Sequence, residues 1–276
     1  MNSTTMIAAF EFTAATTPQL VMLCVAAALA GLVNSVAGGG TLLTFPALSL
    51  VLGPSASATV IANATSTVAV FPGSLASAWG YRRELAGMKA WVIPLLLPSI
   101  LGGGLGAILL TRRDPKEFYV LVPWLILLAT TLFLLQPLIS KWTGIGKPHA
   151  TPSTLAKYGI MTFQFMIALY GGYFGAGIGI LMLSTLALMG ISDIHQMNSI
   201  KTLLASLING VALVFFFWSD KVNWSLAIPM MVASIAGGFF GAVVARRLDK
   251  NFVRYIVVAI GITLSGYYFL RIYAGV

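Results

Sequence analysis

Ten apolar runs occupy most of this chain, at residues 20–37, 41–52, 56–80, 87–111, 118–139, 155–174, 178–190, 198–218, 224–245 and 252–274. A water-soluble domain carries about 25% charged residues. Here 8% of 276 residues are charged and 58% are hydrophobic. The chain therefore reads as one integral membrane domain over residues 1–276. Backbone polar groups in hydrocarbon need partners within the segment, so the fold class is all-α and polytopic. A straight span takes about 20 residues, and eight runs reach or approach that length. Runs 41–52 and 178–190 do not. Twelve helical residues rise about 18 Å against a hydrocarbon core of about 30 Å.

The chain also contains itself twice. Residues 93–114 (IPLLLPSILGGGLGAILLTRRD) and 228–249 (IPMMVASIAGGFFGAVVARRLD) match at ten of 22 positions with a constant offset of 135. Gly102, Gly103 and Gly106 fall on Gly237, Gly238 and Gly241. The same offset pairs Asn63 with Asn198 and Thr67 with Thr202; an offset of 137 pairs Gly38-Gly39-Gly40 with Gly175-Ala176-Gly177. Two homologous halves in a membrane chain point to a transporter whose substrate site lies where the halves meet. The first repeat covers about 18–139 and the second about 155–274. A polar linker rich in Gly, Pro and Lys, about 140–154, separates them.

Charge sets the number of passes. With five passes per half, eleven of the 16 Lys and Arg fall on one side and five on the other; with four passes they divide eight against eight. The positive-inside rule prefers the unequal split. Five is odd, so the second repeat is inverted relative to the first and both termini lie outside the cytoplasm. The net charge of +9 sits between spans, which fits a lipid-bilayer partner and not nucleic acid. No Lys or Arg precedes Arg82, so the first run lacks a signal peptide's basic flank and is expected to be retained. The single cysteine, Cys24, reads as a packing residue.

Short helices after glycine clusters are the discontinuous-helix pattern that marks midplane sites in inverted-repeat transporters. In Asn34-Ser35-Val36-Ala37-Gly38-Gly39-Gly40-Thr41, the glycines allow a ligand to approach backbone N–H groups, and a helix starting at Thr41 aims its positive end there. Gly175, Gly177 and Gly179 form the partner cluster. The competing reading of these glycines is close helix packing, which is preferred at Gly102/Gly106 and Gly237/Gly241. Asn63, Ser66 and Thr67, paired with Asn198, Lys201 and Thr202, supply hydrogen-bonding groups inside apolar runs, as site groups or as interhelical ties. Lys201 is either a cation facing an anionic substrate or a lysine reaching for the interface. Asp193 reads as a helix N-cap and His195 as a surface residue.

All seven acids lie in the N-terminal tail or near segment ends. That argues against a cation substrate and favours an anion held by amides, hydroxyls and Lys201. The only histidines are His149 and His195, and there is no H-E-x-x-H, so no catalytic residue, metal site or cofactor is expected. A passive anion channel and a non-transporting assembly protein remain as rivals to a transporter. Oligomeric state is not readable.

The stretches G-L-V-N-S-V-A-G-G-G-T (31–41), A-N-A-T-S-T (62–67), P-G-S-L-A-S-A-W-G-Y-R-R-E (72–84), F-G-A-G-I-G (174–179) and N-S-I-K (198–201) resemble the TauE/SafE family of sulfite-exporter-like permeases. The resemblance covers about 20–274. It implies a bacterial inner-membrane permease, expected to be an exporter, for small sulfur-containing anions such as sulfite, organosulfonates or related carboxylates, without fixing which. Family descriptions count about eight helices, against ten segments in the charge tally.

Overall fold

The computed structural model describes residues 15–36, 38–142, 154–191, 193–244 and 250–274. Every regular element among them is helical: α1 Thr17–Val36, α2 Thr41–Leu52, α3 Ala56–Gly80, the single turn α4 Arg82–Leu85, α5 Lys89–Arg112, α6 Pro115–Trp142, α7 Thr154–Tyr173, α8 Ile178–Leu188, α9 Ile194–Phe217, α10 Trp224–Val244 and α11 Lys250–Tyr273. Each of the ten apolar runs becomes one helix.

Among the described residues, seven helices are long and apolar enough to cross a bilayer. The eighth long run, α7, has 20 residues, but Lys157 and Gln164 dilute its apolar character. The two short runs are helices of 12 and 11 residues. Large apolar side chains such as Leu97, Leu101, Ile228 and Val232 point outward. Trp79, Trp142 and Trp218 are exposed close to helix ends, where membrane proteins place their aromatic belts. The chain is a multi-pass membrane protein.

Local chemistry explains several helix ends. Ser55 starts α3 by accepting from the Ala58 N–H at 3.1 Å, an N-cap bond. Asp193 does the same for α9, accepting from the His195 and Gln196 N–H groups at 2.7 and 3.3 Å. This cap starts the helix four residues ahead of the apolar run at 198, and His195 is exposed. At the other boundary, α6 runs on to Trp142, into the stretch expected to be linker. Residues 143–153 of that linker, with His149, lie outside the described residues, as does Asp249 of the duplicated motif.

The long helices cross between the halves. α10 packs against α1 and α3, while α5 packs against α7 and α9. Glycine makes these crossings possible. A Cβ on Gly237 would overlap the Ala28 carbonyl of α1, and one on Gly106 would overlap the Leu169 carbonyl of α7. Gly102 and Gly241 face α7 and α1 in the same way. The packing role expected of these four glycines is the one they have. Ser234 on α10 ties the crossing to α3 by donating to Ala69 O at 2.6 Å. Gln164 on α7 donates to Ser99 Oγ on α5 at 3.0 Å. Cys24 is half-buried and unpaired.

Candidate functional site

Both short helices begin at buried residues, Thr41 and Ile178. α1 stops at Val36 and α7 at Tyr173, and a few irregular residues separate each from the short helix that follows. The two breaks touch. A Cβ on Gly38 would sit 2.7 Å from Gly179 Cα, and one on Gly175 would sit 3.6 Å from Thr41 Oγ1. Gly38 has φ +77° and Gly177 has φ +78°, a region that costs an L-residue roughly 1–2 kcal/mol. Glycine is therefore required at Gly38 by both conformation and space.

Between the breaks lies a cavity of about 20 Å³ lined by Asn34, Gly38, Gly39, Thr41, Ser74, Gly175, Ile178, Gly179, Lys201, Thr202, Ala205 and Asn209. That volume accommodates about one water molecule. Thr41 opens α2, and Ile178 and Gly179 open α8. Two helix N-termini therefore converge on the cavity and give it a positive potential.

Lys201 adds a basic side chain. Its side chain is 1% exposed, which is incompatible with reaching the interface. The early start of α9 explains this: Lys201 lies seven residues, about 10 Å, past the first helical residue. Its Nζ donates to Asn34 O at 3.4 Å, near the C-terminal, negative end of α1. Thr202 is 2% exposed and its Oγ1 has no hydrogen-bond partner. No Asp or Glu lines the cavity among the described residues.

Of the residues singled out from sequence, Asn34, Gly38, Gly39, Thr41, Gly175, Gly179, Lys201 and Thr202 line this cavity. The others are set apart from it. Ser35 turns its hydroxyl onto Leu32 O at 2.7 Å and faces Gly241 of α10. Gly40 is pressed against the Ala30 carbonyl, and Gly177 lies beside Ala129 of α6. Ser66 Oγ is hydrogen-bonded to Thr44 Oγ1, and Thr67 donates to Asn63 O at 3.1 Å. Asn63 donates from Nδ2 to Tyr173 O at 2.9 Å. Asn198 is buried one turn before Thr202, with Oδ1 unpartnered.

One expectation needs correction. The Gly39 and Gly40 N–H groups are not bare: both donate to Asn34 Oδ1, at 2.9 and 2.7 Å. Asn34 closes the break on itself, and its Nδ2 reaches Ser74 Oγ at 3.5 Å. Four lining residues, Ser74, Ile178, Ala205 and Asn209, were not anticipated. Ser74 and Asn209 are themselves separated by 135, so extending the repeat alignment two turns past Thr67 and Thr202 would have found both.

The arrangement is a buried polar centre in an otherwise apolar membrane molecule, with a lysine and two helix N-termini. Curated relatives match this chain along most of its length. A protein of Haemophilus influenzae described as a probable membrane transporter protein is 25% identical over 238 residues, 86% of this chain and 89% of the relative. The probable membrane transporter protein YfcA of Escherichia coli K12 is 26% identical over 241 residues, 87% of this chain and 85% of the relative. A Sinorhizobium protein described as probable membrane transporter protein ORF9 is 28% identical over 249 residues, 89% and 90% of the two chains. The model of the sulfite exporter TauE/SafE family matches residues 23–268. With broken helices, a buried polar centre and that match in hand, the chain belongs to the sulfite exporter TauE/SafE family of membrane transporters.

Proposed function

We propose that this transporter exports small sulfur-containing anions, sulfite or organosulfonates, across the bacterial inner membrane by alternating access. The observation that carries the reading is the buried Lys201 ammonium beside the unpartnered Thr202 hydroxyl, in a cavity that no acid lines. A cation, a free hydroxyl and two helix N-termini stabilise a negative charge and repel a positive one. In this reading an anion displaces the Lys201–Asn34 contact, and the cavity widens as one half rocks against the other. Asn63, Ser66, Thr67 and Asn198, which do not line the cavity here, would contribute as it opens. The two halves act as inverted repeats with both termini outside. The reciprocal packing of α10 on α1 and of α5 on α7 supports that relation.

Purified protein in liposomes tests the substrate. Labelled sulfite and a panel of sulfonates are expected to be carried, and to accumulate against a gradient when a driving ion is supplied. Equilibration without accumulation would make the protein a channel. Absence of both flux and binding across the panel would remove the sulfur-anion assignment.

A further inference from the structure

We propose that a groove between α5 and α7 holds the phosphate and one acyl chain of an anionic phospholipid. The inference concerns the bilayer around the protein and does not depend on which anion is carried. The two helices pack together, and the groove beside their contact has a volume of about 520 Å³, within the roughly 300–1,000 Å³ of small-ligand sites. The first turns of both helices line it, with Ala90 and Trp91 from α5 and Thr154 and Lys157 from α7. Both helices therefore enter the bundle from the same face. Farther along them the lining turns apolar. Leu95 and Met161 lie six and seven residues past the helix starts, about 9–10 Å deeper. Ile160 and, just past α8, Met189 complete that part.

The helix starts supply the charge that selects the lipid. A helix N-terminus carries a positive partial charge and favours acids in its first turn. α5 and α7 have none there, and α5 lacks a side-chain cap as well. Each carries an exposed lysine in that turn instead, Lys89 and Lys157. The first turn of α6 shows the contrast, because its Lys116 is followed by Glu117. No carboxylate lines the groove. The acids closest along the chain are Glu84 on α4 and Asp193, whose carboxylate is engaged in capping α9. A phosphate at this end offsets the repulsion between the lysines and the helix ends and makes charge-assisted hydrogen bonds with Lys157. In the five-pass count both lysines fall on the side that holds eleven of the 16 Lys and Arg, where basic pockets between helices recognise acidic headgroups. Trp91 and Tyr158 line the same end, and such rings sit at headgroup depth. Ile93 and Leu97, on either side of Leu95, are 61% and 60% exposed, so α5 turns its neighbouring surface to lipid. An acyl chain fills the apolar part that a free phosphate would leave empty, which makes the lipid the occupant.

The test uses no transport substrate. Purified full chain in an uncharged detergent is titrated with dioleoylphosphatidylglycerol, dioleoylphosphatidylcholine or inorganic phosphate, and followed by thermal unfolding and native mass spectrometry. Phosphatidylglycerol is expected to raise Tm saturably and to stay bound as a single retained molecule, with no such response to the other two. A basic residue near an acidic lipid is worth about 5-fold in affinity, so Lys157→Gln and Lys89→Gln should each weaken phosphatidylglycerol binding about 5-fold, and the pair about 25-fold. Lys116→Gln should leave it unchanged. Met161→Trp, which fills the apolar part, should weaken it without removing a charge. The lysine substitutions are at exposed positions, so they decide the matter where the tryptophan variant does not fold. Equal stabilisation by both lipids, the same rise with inorganic phosphate, or a loss with Lys89→Gln and Lys157→Gln no larger than with Lys116→Gln overturns the proposal. A lipid-free dimer that Met161→Trp dissociates would assign the groove to a second copy and overturn it as well. Lipid retention with no sulfur-anion flux would leave this site standing and remove the substrate assignment alone.

Discussion

Thr202 separates stability from function. Its buried Oγ1 has no partner, and a buried polar group left so costs about 1–3 kcal/mol. Thr202→Val keeps the shape and removes the orphan. Thermal unfolding is therefore expected to show a variant at least as stable as the parent. Anion affinity should fall about 5- to 10-fold, the worth of one ordinary hydrogen bond of about 1–1.5 kcal/mol. A variant that loses stability instead would show that the hydroxyl is an interhelical tie. Lys201→Met makes the larger change. A hydrogen bond to a charged group contributes about 1.5–3 kcal/mol, so equilibrium anion binding should weaken roughly 10- to 100-fold; unchanged affinity would take Lys201 out of the site. Repetition located Thr202 and the glycine breaks from sequence, because chemistry required at one place recurs at its twin, while Lys201, whose twin is Ser66, stood out as a charge inside an apolar run. It did not reveal that Asn34 would take the Gly39 and Gly40 amides. Which donor a buried acceptor meets depends on the bend of the chain after Val36, and composition does not encode that bend.

At the scale of helices, close crossings depend on where glycine sits and not on how much of it there is. Gly237 faces the Ala28 carbonyl, and an added methyl has nowhere to go. Gly266, on α11, has nothing within 4 Å of the same position. Gly237→Ala is therefore expected to lower the unfolding temperature in detergent sharply or abolish folded protein. Gly266→Ala should be neutral or stabilising by up to about 1 kcal/mol, the difference in helix propensity. Equal effects would mean that the α1/α10 crossing is not tightly packed. Helix positions were the easiest feature to read, because each apolar run is bounded by charge, proline or glycine. The ends were harder where a polar residue continues the helix. Asp193 caps α9 ahead of its apolar part, which carries Lys201 deeper than the run alone implied. The passage of α6 to Trp142 is the same effect at a C-terminus, with Lys141 in the last turn favoured by the helix dipole.

At the scale of the whole molecule, the halves are not independent bodies. The third long helix of each half packs on the other half: α10 lies on α1 and α3, and α5 lies on α7 and α9. Internal duplication identifies equivalent positions but not which copy a helix will pack on, so this exchange was not visible in the sequence. It carries a consequence for folding. A first half alone would present the Gly31 and Gly73 faces, which here meet α10 backbone at Ser234, with no helix to fill them. A second half alone would lose α5 from the Gly172 face of α7 in the same way. Without a hydrophobic drive between helices in lipid, such close-packed faces are what hold the bundle together. Residues 1–146 and 147–276 expressed separately are therefore expected to give no monodisperse protein in detergent, measured by size-exclusion chromatography. Expressed together, they should co-purify as one species that unfolds cooperatively, because the break falls in the polar connection and leaves every helix crossing intact. A monodisperse, cooperatively unfolding half would show that each repeat folds on its own and that the exchange of α5 and α10 is a late docking step.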